Sequence, residues 1–545
     1  MNKKLLSLFL LSSMVLTGCG EGVDPTPSSD RIPEDADTHI IDDKYRNYYE
    51  IFVGAFANGD QSDRKGIGDL KGVIQKLDYI KDTGYNGIWL MPIFKSPSYH
   101  KYNASDYYTI DPTYGSMDDL RTLIREGHNR GIDIILDLVL NHCSRENPLF
   151  QKWIAALRKQ LNNQTMTPEE IKEATLFKYS LNTNPGGYSY VETQNGKKIY
   201  VEANFDGDMP EFDFDSTYAR DKLKEIAKYY LDMGVDGFRL DAVKYIYYNN
   251  VEKSCEALSD FYNYCKSVKN DVYMVGEDWG GTAEITKFYK NGGCDSFFFF
   301  DAAGPNGFIK NSTNEFSANP YGYFDGLLSL YEIAKGSDGT IKVPAPMMDN
   351  HDMSRIAMSK DSHETTKIHN GLFAMLNGST FTYYGDEVGE NGTIGGGIGD
   401  YIVRRQFPWA PNDPLNCVNP WDCQDYSHEN GFLSQQMEDV NSIYNYTKKS
   451  NLLRNQIPEI ARGEPLEAKS EILDDENVIK LVKRGADREI LIVMNLGYND
   501  SYTFDYSSTS YSQVIGQLCA KDDTYIAKRG DKKIEIPGFG IAILA

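Results

Sequence analysis

The 545-residue sequence predicts a (β/α)8 barrel with a domain inserted after the third strand and a small antiparallel β-domain at the C-terminal end. Three observations predict it. Eight short apolar runs recur along the chain, most of them separated by longer segments of helical periodicity, which is the pattern of parallel strands joined by crossover helices. One interval, between the third and fourth runs, is much longer than the others. From about residue 460 onward the helical period gives way to alternation around turn residues.

The eight candidate strands are YYEIFVGAF (48–56), GIWLMPI (87–93), IDIILDLVL (132–140), VDGFRLDAV (235–243), VYMVGE (272–277), DSFFFFD (295–301), PAPMMDN (344–350) and STFTYYGDE (379–387). Between them, DLKGVIQKLDYIKDTG (69–84) and SMDDLRTLIREGHNRG (116–131) carry helical spacing and close on glycine, a common helix stop. The expected organisation is a catalytic barrel over residues 44–460, an inserted domain over 141–206, and a β-sandwich over 461–545, where VIKLVKRGADREILIVMNLG and KKIEIPGFGIAILA alternate.

A hydrophobic share of 41% with 25% charged residues describes an ordinary globular chain. The net charge of −23 excludes nucleic acid as an expected partner, because phosphates would be repelled. The 38 Tyr and 25 Phe are read first as core and strand residues, although such rings can also form sugar-stacking platforms.

Residues 1–18 read as an address. Lys3 and Lys4 precede an apolar run from Leu5 to Leu16, too short for the ~20 residues that span a bilayer. The ending Leu16-Thr17-Gly18-Cys19 resembles a bacterial lipobox, which implies cleavage before Cys19 and a diacylglyceryl group on its sulfur. Residues 19–43, rich in Pro, Ser and Asp, suit a flexible tether. The expected location is extracytoplasmic, on a membrane anchor. Of the other seven cysteines, only Cys417 and Cys423 are close enough to suggest a local loop, and spacing alone does not establish a disulfide.

The stretch GVDGFRLDAV places Arg239 and Asp241 at a strand end. By itself this fits either catalysis at the barrel mouth or a buried ion pair. The neighbouring strands decide. DLVLNH carries Asp137, Asn141 and His142 to the same rim, VGEDW carries Glu277, and DNHD carries His351 and Asp352. Adjacent strands lie ~4.8 Å apart, so Asp241 and Glu277 can reach the ~5–5.5 Å separation used by retaining glycosidases.

DLVLNH, GFRLDAVK, GEDW and DNHD, in this order, resemble the four short sequence regions of the α-amylase superfamily of glycoside hydrolases, and GDMPEFDFD (207–215) resembles a fifth. The resemblance covers roughly residues 45–460. It implies Asp241 as nucleophile, Glu277 as general acid and base with a raised pKa, and Asp352 as a binder of the sugar hydroxyls. It further implies that Arg239 holds Asp241 ionised, that His142 and His351 bond the cleaved sugar, and that Tyr102 stacks beneath it. Lys101 stands where the family usually has glycine.

Lys244 resembles the lysine that α-amylases place on the reducing-end side, which implies endo-hydrolysis of α-1,4-glucan. RRQFPW (404–409) instead resembles oligo-1,6-glucosidases, so a neopullulanase-like or oligo-1,6-glucosidase-like enzyme is the alternative, and transglycosylation stays open. A different class, a surface glucan-binding protein on an inactive barrel, is opposed by the presence of all three carboxylates. The resemblance also implies a Ca2+ held by Asn141, Asp213 and the Tyr245 carbonyl. The loop GDQSDRKGIGDL (59–70) resembles a cation-binding loop but has Arg64 and Lys65 at acid positions, so a side-chain cation near Asp63 and Asp69, not a metal, is expected there.

Overall fold

Eight parallel strands form one ring: β1 (Asn47–Ile51), β2 (Gly87–Leu90), β3 (Asp133–Leu138), β4 (Gly237–Leu240), β5 (Tyr273–Gly276), β6 (Ser296–Phe299), β7 (Ala345–Pro346) and β8 (Thr380–Tyr383). This is a computed structural model, and it describes residues 44–60, 66–395, 399–417, 428–467, 477–522, 529–530 and 532–545. The order β7-β6-β5-β4-β3-β2-β1-β8 follows the chain, and a parallel bridge between Met347 and Phe381 joins the two end strands. The expected (β/α)8 barrel is therefore present.

The strands are short and almost wholly buried, as strands with one face inside a barrel and the other under helices must be. Inside the ring, Tyr48 stacks on Phe381 at 4.7 Å and on Tyr273 at 5.3 Å, with Trp89, Ile135 and Phe298 in the same cluster. All eight predicted runs contain a strand, but the ladders are shorter than the runs. The run 344–350 forms a ladder only at Ala345–Pro346, followed by the single Met347–Phe381 bridge, because the residues after it turn out of the ladder toward the mouth.

The predicted helix at 69–84 is two helices, Leu70–Gln75 and Leu77–Asp82, that meet at Lys76. The second predicted helix spans Met117–His128, started by a reciprocal cap between Ser116 and Asp119. Between β3 and the helix Thr217–Met233 the chain builds helices Pro148–Leu161 and Pro168–Glu173 and a three-stranded antiparallel sheet, Tyr179–Leu181, Tyr188–Gln194 and Lys197–Glu202. Bridges His142–Glu211 and Phe177–Phe212 return it to the barrel.

The C-terminal domain packs a five-stranded antiparallel sheet against a three-stranded one, with Val478, Val493, Phe504, Val514 and Ile536 among the residues between them. It is bolted to the barrel by Lys483, fully buried, whose Nζ donates to the Met375 and Ile460 carbonyls at 2.7 and 2.5 Å. Among the described residues no helix is long and apolar enough to cross a membrane. Cys19, the leader and the tether lie outside the described residues, as does Cys423, while Cys417 is buried.

Candidate active site

The C-terminal ends of the strands define the site. The register pairs Leu240 with Gly276, so Asp241 and Glu277 stand opposite each other one residue further on. Ala242 then takes a left-handed backbone (φ 49°), which turns its N–H onto Glu277 Oε2 at 3.0 Å. A non-glycine residue in that region costs on the order of 1 kcal/mol, and here the bend braces the end of β4 to β5.

Arg239 is fully buried and is the hub of the site. Its Nη1 donates to Asp137 at 3.1 Å and to Asp241 Oδ1 at 2.6 Å, and its Nη2 lies 3.1 Å from Glu277 Oε2. The guanidinium carbon lies 5.0 Å from the Trp89 ring centroid and 5.8 Å from that of Tyr102. One cation thus serves three carboxylates. Burial pushes Asp137 up to about 7 against the pull of Arg239, with Asp241 adding to the rise. Burial likewise raises Glu277, and the charges of Asp241 and Asp352 raise it further. Limited solvation therefore leads, ahead of the neighbouring anions. For Asp241, Arg239 orients the carboxylate, but burial outweighs its pull and the net direction is upward.

Across the mouth, His351 lies between Glu50 and Asp352, with Nδ1 2.5 Å from Glu50 Oε1 and Nε2 3.0 Å from Asp352 Oδ2. Burial alone would lower His351, but Asp352 and Glu50 outweigh it and carry it up to about 9. Asp352 also accepts from Arg404 Nη2 at 2.7 Å. Burial opposes its ionisation, yet His351 and Arg404 outweigh burial and hold it well below the usual carboxylate range. Arg404 further binds Asp400 at 2.8 Å and the Tyr99 hydroxyl at 2.8 Å.

Tyr102 reaches the same group: its hydroxyl lies 2.6 Å from His351 Nε2 and donates to Asp137 Oδ2 at 3.1 Å. Lys101 before it has φ 68°, the conformation that accounts for a glycine at this place in similar sequences. Here lysine is held there by a buried ion pair with Asp111 at 2.8 Å. His142 is buried, neither ring nitrogen has a partner among the described residues, and burial takes its pKa down to about 4, so the ring is neutral.

Of these groups, Tyr102, His142, Asp241, Glu277, Asp352 and Arg404 line a cleft of about 590 Å3 that also includes Phe205, Lys244 and Trp279, while Arg239, Asp137 and His351 lie behind its wall. Lys244 donates to the Trp279 carbonyl at 3.3 Å, and the Trp279 ring stacks on Phe300 at 4.6 Å while staying 47% exposed. Sequence reasoning misses Glu50 and Trp279. A glutamate inside an otherwise apolar strand, in YYEIFV, is the signal that finds the first.

The candidate cation ligands are only partly gathered. Asn141 Nδ2 donates to the Tyr245 carbonyl at 3.3 Å, and the Phe212 N–H bonds the Asn141 carbonyl, which brings Asp213 to the same joint. Turning the Asn141 amide over would leave two oxygens at the spacing of neighbouring ligands on one Ca2+, roughly 3.4 Å apart for ~2.4 Å bonds at a right angle. This donor set fits a hard cation. Among the described residues no group of three or more His, Cys, Asp or Glu is placed to hold a metal.

The Asp69 carboxylate accepts the Gly72 N–H, capping the following helix, and also the N–H groups of Gly59 and Asp60, while Lys71 pairs with Asp60 at 3.0 Å. Asp63, Arg64 and Lys65 lie outside the described residues.

A barrel whose strand ends converge a buried arginine, three carboxylates and two histidines on one cleft has the form of a glycoside hydrolase. Residues 50–463 match the family model for the α-amylase catalytic domain, and the chain belongs to this family of hydrolases and transglycosylases. α-Amylase 3 of Dictyoglomus thermophilum is 34% identical over 504 residues, covering 90% of this chain and 91% of that one. Oligo-1,6-glucosidase of Parageobacillus thermoglucosidasius is 26% identical, covering 82% and 88%, and 4-α-glucanotransferase of Thermotoga neapolitana is 27% identical, covering 68% and 78%. Among solved structures, Eubacterium rectale Amy13B superposes with a TM-score of 0.83 at 34% identity, covering 92% of this chain and 96% of that one.

Proposed function

We propose that the protein is a retaining endo-hydrolase of α-1,4-glucosidic bonds in starch, glycogen or maltooligosaccharides. The observation that carries this is the pairing of Asp241 opposite Glu277 on strands ~4.8 Å apart, the narrow spacing of a double-displacement enzyme rather than the wider gap that admits water between two carboxyls. Asp241 attacks the anomeric carbon while Glu277, kept protonated by burial, delivers its proton to the leaving oxygen. The chain then carries a glycosyl ester on Asp241. Glu277, now a carboxylate, takes a proton from water, and that water opens the ester with net retention. Asp352 and the neutral His142 hold the sugar hydroxyls, Tyr102 lies beneath the ring, and Lys244 and Trp279 meet the reducing-end side.

Digestion of amylose, pullulan and panose, followed by chromatography and by NMR of the first-formed anomer, tests the reading. Mixed maltooligosaccharides of α configuration are expected from amylose. Initial β products would defeat the retaining mechanism. Glucose released only from panose-like ends would favour the second reading, an oligo-1,6-glucosidase-like or neopullulanase-like enzyme. That reading is favoured by one observation, that Arg404 of the RRQFPW stretch enters the site and binds Asp352.

A structural Ca2+ on Asn141, Asp213 and the Tyr245 carbonyl would clip the insertion to the barrel and take no part in bond cleavage. Binding to the folded state alone stabilises by about 2.7 kcal/mol at a hundredfold excess over Kd. Chelation should lower Tm in the wild type and not in Asp213→Ala; equal melting curves with chelator and with excess Ca2+ would exclude it. Lipidation at Cys19, with display outside the cytoplasm, is tested by fractionation, in which Cys19→Ala should move from membranes to the soluble fraction.

A further inference from the structure

Glu50 sits on the inner face of β1, two residues above Tyr48, almost completely buried, and the double-displacement chemistry leaves it without a role. Its carboxylate faces His351 Nδ1 at 2.5 Å. On the far side of that ring, Nε2 faces Asp352 Oδ2 at 3.0 Å and the Tyr102 hydroxyl at 2.6 Å. Tyr102 can donate to Asp137 Oδ2 at 3.1 Å, and the Asp352 carboxylate is an acceptor facing Nε2 whichever way that hydroxyl turns. Both ring nitrogens therefore face acceptors, and an imidazole donates from both only when it carries two protons.

We infer that Glu50 is a positioning residue that keeps His351 an imidazolium, and through it fixes and ionises the Asp352 carboxylate. This rests on the reading of Asp352 as a binder of the reacting sugar.

The surroundings agree with a charged ring. Asp137 and Asp241 add negative potential from β3 and β4. The cations that would oppose it are engaged elsewhere. Arg239 serves Asp137, Asp241 and Glu277, and Arg404 bonds Asp352 and Asp400 while its Nε donates to the His351 carbonyl at 2.9 Å. Behind Glu50, Asp349 and Asp386 share Arg355. Trp89 and Tyr383 present only ring edges. In this setting the direction of the His351 shift, upward to about 9, has a geometric cause on each side of the ring.

Glutamine at position 50 keeps the size and one acceptor but removes the charge. Losing an opposite charge at contact distance lowers a histidine pKa by about 1–2 units. Above the new value the neutral ring has a single N–H and cannot serve both partners, so Asp352 loses the imidazole donor and keeps only Arg404, or the ring turns.

The test compares kcat/KM against pH, on a chromogenic maltooligosaccharide, for wild type and Glu50→Gln. Alongside it, NMR of 15N-histidine-labelled protein reads the ring protons, with His351→Gln providing the assignment. Two protonated nitrogens on His351 through pH 8 are expected in the wild type. In Glu50→Gln the ring should titrate about 1–2 units lower, and kcat/KM should fall about 3–10-fold at pH 8 while changing little at pH 5.5. A structural role alone would lower activity equally at every pH. A wild-type His351 with one ring proton at pH 7 overturns the inference without any variant, as does an unshifted alkaline limb in folded Glu50→Gln. A wild type inactive on α-glucans would defeat the functional reading instead, and the ring-proton measurement would still decide whether Glu50 holds the charge.

Discussion

Both ends of the barrel open onto cavities lined by charge, and the larger one is at the end without the chemistry. The N-terminal cavity, about 750 Å3, lies among Lys44, Arg46, Asp133, Asp236, Lys269 and Asp295. There the cations are at least as many as the acids: Lys44 pairs with Asp295, which Lys266 also approaches at 3.8 Å, Arg46 pairs with Asp133 at 2.5 Å, and Asp236 meets both Lys269 and His128 at 2.7 Å. At the C-terminal end a cleft of about 590 Å3 is backed by one arginine among three acids and one histidine between two. Cavity volume reflects how loops pack. Chemistry needs groups whose protonation can change during a reaction, and at the mouth the acids outnumber the cations that serve them, whereas at the other end they do not.

The largest break between the two ends should come from the nucleophile position. Asp241→Asn keeps a hydrogen-bond acceptor for Arg239 and removes the carboxylate. It should lower kcat by about 10^4-fold or more, with Tm little changed. A variant with more than about a hundredth of wild-type activity would mean that Asp241 is one of the structural acids.

At the other end, Arg46→Met should do the reverse. Removing one member of a mostly buried pair strands its partner and costs about 3 kcal/mol, discounted here because roughly a quarter of the Asp133 side chain is exposed. Thermal and denaturant unfolding should show that loss, with kcat/KM unchanged within about twofold. A tenfold drop in kcat would show that the two ends are coupled.

The same contrast separates what is legible in the sequence from what is not. The eight strands are legible because each is an apolar run between helical periods, and the rim acids are legible because a charge that ends an apolar strand is costly to keep there unless it is paired or used. The run 344–350 overstates its ladder because Met347 and Met348 continue the apolar run past the last paired residues. Lys101 is a departure whose physical basis is hidden: its tolerance of a left-handed backbone depends on Asp111, ten residues away, which no local pattern reveals. Glu50 escapes notice because it lies mid-strand rather than at the rim, and Trp279 because one ring among many carries no signal until its stacking on Phe300 is seen. Asp69 has a second use that the loop's resemblance to a cation site does not reveal, as the cap of the helix that follows it.

The smallest effect should separate the two ends by pH. Burial pushes Asp137 and Glu387, at the mouth end, up to about 7, and Asp133, at the N-terminal end, up to about 6. A carboxyl whose folded pKa exceeds its unfolded value of about 4 stabilises fully below pH 4, and that stability is lost as pH rises through the folded pKa. Asp352, shifted the other way, gives up stability only in strong acid, but His100, His142 and His369, lowered by burial to about 4, gain stability as pH rises from about 4 to 6.5 and oppose the carboxyls there. Tm should therefore decline between about pH 6.5 and pH 8. Glu387 accepts the Tyr49 and Tyr79 hydroxyls, at 2.5 and 2.6 Å, and touches no part of the cleft, so Glu387→Gln is the clean variant. It also loses the Gly385 N–H bond to Oε2, a cost that applies at every pH alike, so the slope rather than Tm itself is the measurement. The change in stability from pH 6 to pH 8 should become less negative by about 1–2 kcal/mol, whereas Asp133→Asn should alter only the part below pH 7. A Glu387→Gln slope identical to wild type would mean that the buried acid is ionised throughout, held by its two tyrosines.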